Sequence, residues 1–245
     1  MTSPKAISLI PPKSGVHVHA LSSNSRQMLR RLIIACAVLL LFARSAANAA
    51  ERDYLERGAE ELTSDLQIKY DRAVRHVLSR AWQKDVALRM SIIPGFQPEF
   101  ATGITRAKSG YTAFEATVAK SIWFQLGFGS EKWKHNYNNY RRIKPILHER
   151  RLPEVLALRI AALWRRVLTD PRNYGRDEGF QVDATQFAYF LGFLPHERLH
   201  AYMVSWGPNT GQLIALTGAL ASYANGTPER GLVKAVAEAE RKLGI

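Results

Sequence analysis

The chain has 245 residues, 34 of them Lys or Arg against 21 Asp or Glu, which gives a formal charge of +13, and it has one cysteine. Six of those cations (Lys5, Lys13, Arg26, Arg30, Arg31 and Arg44) precede residue 50 and no acid accompanies them, so a chain cut there carries +7 and is mildly basic, not a strong polycation. The same cut removes Cys36, which excludes an intramolecular disulfide, a thiol nucleophile and a thiolate metal ligand from what remains.

That cut is what the first segment predicts. Arg30 and Arg31 precede an apolar run from Leu32 to Ala43, and Ala47-Asn48-Ala49 follows. A charged start, an apolar core and an A-x-A end spell a secretory signal peptide over residues 1–49. The run falls short of the about 20 apolar residues of a membrane span, so membrane contact is expected only through the signal. A compact signal already begins at Met28, and translation is expected to start there. A secreted chain without disulfides fits a bacterial periplasm. Residues 50–245 suit one domain with ample core.

Leu55, Ala59, Leu62, Leu66, Tyr70, Ala73, Val77 and Ala81 recur at steps of three and four, predicting an N-terminal helix over about 51–84. The period then changes. VALRMSII alternates from Val86, PGFQPEF supplies a turn, and residues 100–123 read as a hairpin about Lys108-Ser109-Gly110. EKWKHNYNNYRRIK, residues 131–144, is polar, basic and aromatic, and reads as loop or a short exposed helix. Pro153 opens a helix with a stripe of Leu156, Ile160, Leu163, Trp164 and Val167, stopped at Asp170-Pro171. DPRNYGRDEG is loop. Its Asp170, Asn173, Asp177 and Glu178 could gather around calcium, but the alternation of a calcium loop is missing and two arginines intrude. Thr210 caps a further helix through Leu213, Leu216, Leu220 and Tyr223, and Thr227-Pro228-Glu229 opens the last one, to about Leu243. Together these predict an α+β fold in a single domain, a small antiparallel sheet of hairpins packed against several helices.

One stretch has two readings. Within FLPHERLHAYMVSWG, residues 196–200 match H-E-x-x-H. On a helix, His196 and His200 stand one turn apart and can share a zinc ion, with Glu197 as general base on its water. On a strand, four residues span roughly 13 Å and the two imidazoles cannot chelate together. The strand template has Thr185, Phe187 and Tyr189 alternating, then Tyr202, Val204 and Trp206, with Leu194 to Arg198 as the turn. Arg198 sits where zinc-protease helices carry an uncharged residue. Position 203 is Met, and only Glu229 or Glu238 offers a distant third ligand. The turn and strand is therefore the reading adopted, with zinc and a metallopeptidase as the alternative.

GFQVDATQFAYF followed by SWGPNTGQLIALTGALASYA resembles the C-terminal half of a group of uncharacterised secreted bacterial proteins. These carry a D-G-T-x-Y-x-F strand, a W-S-P-x-x-G turn and an L-x-x-L-x-x-x-L-x-x-Y helix. The matching residues are Asp183, Thr185, Phe187 and Tyr189, then Trp206, Pro208 and Gly211, then Leu213, Leu216, Leu220 and Tyr223. The resemblance implies strand, turn, strand and helix over 181–224, and it brings no reaction with it.

The remaining candidate is KWKHNYNNYRRIK, which interleaves Lys132, Lys134, Arg141, Arg142 and Lys144 with Trp133, Tyr137 and Tyr140. Cations hold anionic groups and aromatics stack on rings, so the composition suits a polyanion or glycan. Outside the cytoplasm nucleic acid is the wrong partner; an anionic envelope component or another envelope protein is expected. Trp82, Trp123, Trp164 and Trp206 are expected in the core, and His76 and His148 at the surface. No nucleophile elbow, Walker or dinucleotide pattern is present. The expectation is a secreted or periplasmic binding or interaction protein that is not a catalyst and needs no cofactor.

Overall fold

Alternating apolar residues in VALRMSII, FATGITRA and GYTAFEATV make three consecutive strands, because period-two patterns present one face of the backbone to each side. A computed structural model describes residues 55–57, 64–93, 97–128, 130–170, 186–203 and 208–245. The predicted signal peptide, Trp206, Asp183, Thr185 and the loop positions Asn173, Asp177 and Glu178 lie outside the described residues. The strands are β1 (Leu55–Arg57), β2 (Val86–Ile93), β3 (Phe100–Ala107), β4 (Gly110–Val118), β5 (Pro145–Leu152), β6 (Gln186–Leu191) and β7 (Leu199–Met203). They form one sheet in the order β1-β7-β6-β2-β3-β4-β5, and every pairing is antiparallel. The helices are α1 (Asp65–Val77), α2 (Ile122–Leu126), α3 (Trp133–Asn136), α4 (Glu154–Thr169), α5 (Pro208–Ala224) and α6 (Glu229–Leu243). The result is a single-domain α+β fold, with a larger sheet than the hairpins alone predict.

Residues directly opposite in antiparallel strands share a face. One row across the sheet reads His200, Phe190, Arg89, Gly103, Phe114, Glu149 from β7 to β5. The parallel row two residues along is Tyr202, Ala188, Ser91, Ala101, Ala116, Leu147. Its small residues leave room on this first face for α1, which buries Tyr70, Ala73, Val74 and Val77 in one cluster with Ala101, Ala116, Ile122, Leu126, Phe128 and Tyr140. The second face carries Leu88, Met90, Ile104, Tyr189 and Leu191, all at most 1% exposed. Over it lie α4, through Leu156, Ile160, Leu163 and Trp164, and α5, through Leu213, Leu216 and Leu220. The Trp164 ring meets the edge of Tyr189 at 5.4 Å. Among the described residues no helix is long and apolar enough to cross a membrane.

Two sequence expectations change. The helix expected over 51–84 runs only from Asp65 to Val77. Ser64 starts it with a capping box, its hydroxyl accepting from the Gln67 N–H at 3.1 Å while Gln67 Oε1 accepts from the Ser64 N–H at 3.2 Å. Leu55–Arg57 instead pairs with Ala201–Met203 at the sheet edge, and Ser79–Trp82 tightens into a 3₁₀ turn. The last helix of the second face begins at Pro208, so Thr210 lies in its first turn and is fully buried instead of capping it. The strand Pro145–Leu152 is an addition: it is the edge beyond β4, mostly exposed, and has no apolar alternation to announce it.

Candidate functional site

In the basic-aromatic segment the two residue types separate. Trp133 opens α3 and the chain continues in a 3₁₀ turn over Tyr137–Arg142. Phe128 stacks on Trp133 at 5.9 Å, meets Tyr137 at 6.4 Å and touches Tyr70 and Trp123 at 5.4 and 5.3 Å. Tyr140, buried, packs on Tyr137 and on the edge of His76. The aromatics are thus held by the protein's own rings, and Lys69 lies over Trp133. Lys132, Lys134, Arg141, Arg142 and Lys144 point outward and are exposed. Lys134 is tied to Glu131. The segment therefore offers solvent a row of cations on an aromatic base, not free stacking platforms.

Beneath this base sits Glu99, fully buried. It accepts from the Tyr70 hydroxyl at 2.6 Å, Ser121 Oγ at 3.1 Å, and the Ile122 and Trp123 N–H groups at 2.7 and 3.2 Å. Burial, and then the charge of Glu99, push the Tyr70 phenol upward, so it stays protonated as a donor. This carboxylate fixes where the segment starts, and it escaped the sequence reading because PGFQPEF signals only a turn.

The H-E-x-x-H stretch is a turn and a strand. The Glu197 N–H donates to the Leu194 carbonyl at 3.1 Å, Pro195 takes the second turn position, and His196 the third, with φ of 68°. That is the pattern of a type II turn, in which proline presets the second residue and the third must adopt positive φ. Pro195 thus reads as a turn former, not as the first residue of a helix. His200 belongs to β7, opposite Phe190. The two histidines are not one helical turn apart. Glu197 is held by Arg165, Nε to Oε1 at 2.6 Å and Nη2 to Oε2 at 3.0 Å, and Oε2 also accepts from the Phe193 and Leu194 N–H groups. Burial alone would raise its carboxyl, but these donors outweigh it and hold Glu197 below the usual carboxylate range, which makes it a weak base. Among the described residues no three His, Cys, Asp or Glu side chains gather closely enough to hold one ion.

A second constellation lies on the first face at β2 and β6. The Arg89 guanidinium lies 4.6 Å from the Trp82 ring and 5.4 Å from Phe190, with Nη1 donating to the Ala81 carbonyl at 3.0 Å. Arg75 lies 5.7 Å from the same Trp82 ring and is paired with Asp71 at 2.7 Å. Phe190 meets the His200 ring at 5.0 Å. Burial, then the charge of Arg75, push Arg89 down to about 10. Burial first, then Arg89, Arg198 and Arg75, push the His200 imidazole down. Sequence reading missed this group because Arg89 is a single cation inside an apolar alternation, and the rest of the group comes from four other elements.

Of the expected core tryptophans, Trp164 is 1% exposed, while Trp82 and Trp123 are half-buried. His76 is exposed and His148 half-buried on β5. No protein-family model, curated protein or solved structure matches the chain.

Proposed function

We propose that the chain is a secreted or periplasmic protein of the bacterial cell envelope that binds an anionic partner and does not catalyse a reaction. The observation that carries this reading is the row Lys132, Arg141, Arg142 and Lys144, exposed above rings that are already packed. The backbone beneath these cations is already packed, so binding a polyanion orders their side chains but not the segment that carries them. The location rests on the Arg30–Ala49 leader, and the anionic envelope component on that location.

The test is co-sedimentation with lipopolysaccharide aggregates at low and high salt. Binding that weakens with salt and falls in the Arg141→Gln/Arg142→Gln/Lys144→Gln variant supports the reading; binding unchanged in that variant sinks it. Recovery of a periplasmic form beginning at Ala50 supports the leader, whereas a cytoplasmic chain keeping residues 1–49 refutes it. Stoichiometric zinc in the purified protein, lost on His200→Ala, would replace the binding reading with the hydrolase.

A further inference from the structure

Arg89 is placed unlike Arg80, Arg159 and Arg165. Arg80 has Asp85 at 2.9 Å and Glu149 at 2.5 Å, Arg159 has Glu240 at 2.6 Å, and Arg165 has Glu197 at 2.6 Å. Arg89 has no carboxylate partner among the described residues, and its Nε is buried without an acceptor. Burying an uncompensated charge is costly, and ring faces return only part of that cost. The neighbouring Trp82 Nε1 is likewise buried with no acceptor among the described residues. Two adjoining side chains therefore hold N–H donors without acceptors.

The surroundings add charge of the same sign. Arg75 acts on Arg89, while Arg89, Arg198 and Arg75 act on His200, whose ring meets Phe190 beside Arg89; Asp71, the carboxylate whose field reaches Arg89, is already held by Arg75. Arg75, Arg198 and His200 are exposed, and Phe190 is half-buried, so the constellation borders solvent. The Arg89 guanidinium lies against the Trp82 and Phe190 rings, and its fork of N–H donors suits a planar or tetrahedral oxyanion.

We infer that Arg89, Trp82, Arg75, Arg198 and His200 form a binding site for a small oxyanion group, a carboxylate or a phosphate. The site is separate in sequence from the exposed cations of residues 132–144 and does not depend on their role. The oxyanion accepts from the Arg89 and Trp82 donors, and the outer cations draw it in.

Isothermal calorimetry on the purified full chain, at fixed ionic strength with chloride as the reference salt, tests this with inorganic phosphate and with acetate. Saturable binding of either is expected, and the stronger of the two names the group. Arg198→Gln and His200→Ala change exposed side chains, and each is expected to weaken binding roughly threefold, with Arg89→Met weakening it at least about tenfold. Lys234→Gln, which changes an exposed cation outside both groups, is expected to leave it unchanged. Absence of saturable binding by both anions overturns the inference. So does binding that survives both Arg198→Gln and His200→Ala, an outcome that stands even if Arg89→Met does not fold.

Discussion

Two carboxyl groups, one on each face of the sheet, are held in opposite ways. On the first, Glu99 receives four donors and Arg80 bridges Asp85 and Glu149. On the second, Glu115 lies in the row Ala201, Tyr189, Met90, Thr102, Glu115, His148, and its Oε2 is buried with no hydrogen-bond partner among the described residues. Helix α5 above it, PNTGQLIALTGALASYA, contains no Asp, Glu, Lys, Arg or His. Burial pushes the Glu115 carboxyl up to about 7. A satisfied carboxylate can be a fixed part of a core, while an unsatisfied one stays neutral until pH forces the issue.

The contrast can be broken most severely from the apolar side. Trp164→Ala removes the largest fully buried side chain of the second face and is expected to cost ~3–5 kcal/mol, read as a lowered denaturant midpoint. Glu99→Ala, on the other face, strands the Tyr70 and Ser121 hydroxyls and two backbone N–H groups. An expected loss of ~3 kcal/mol follows, together with loosening of the 122–143 aromatics, visible as a red shift of tryptophan emission.

Glu115→Gln tests the second face by sign. The folded carboxyl titrates near 7 against an ordinary 4.5, so the protonated form is the one the fold favours. Its contribution is fully present below the unfolded value and is lost as pH rises through the folded one. Melting temperature is therefore expected to fall between pH 5 and pH 8 in the parent and much less in the variant. Discounted for partial exposure, the difference at high pH is ~1–2 kcal/mol. A parent profile no steeper than the variant's would remove the contrast between the faces. The smallest effect is expected at the turn: His196→Gly relieves a positive φ and should stabilise the chain by ~0.5–1 kcal/mol, with the hairpin intact.

Legibility in the sequence followed periodicity. The α4 stripe, the β2–β3–β4 meander and the turn at Lys108-Ser109 were readable because one face of each element is buried and the other wet. β5 was not, since an edge strand with HERR at its centre is wet on most sides and shows no alternation. The first helix was drawn too long because steps of three and four continue through Leu55–Leu62; pairing of Leu55–Arg57 with β7 outweighs that local preference. In H-E-x-x-H the residue that decided the matter was Pro195, equally admissible in a helix start and a turn, so spacing alone could not separate them. At the candidate sites, the sequence showed which cations exist along 132–144 but not that their aromatic neighbours face inward. It gave no hint of Arg89, because a constellation assembled from α1, the turn after it, β2, β6 and β7 leaves no local pattern.

The strand at one end of the sheet leaves an open border. Among the described residues β5 pairs with β4 alone, so the backbone groups that alternate residues turn outward have no partner strand, although the Arg151 carbonyl accepts from the Tyr223 hydroxyl at 2.6 Å; Ile146 and Leu147 are more than 40% exposed. Such a border invites growth by a further strand. Here His148, Glu149, Arg150 and Arg151 occupy its middle, and two of them are anchored: Glu149 by Arg80, and Arg150 by the Thr227 carbonyl at 2.8 Å. A further strand would have to desolvate these charged groups or pull them from their anchors, and charged side chains along an edge blunt such pairing. The same contacts that hold the strand in place thus guard its open border.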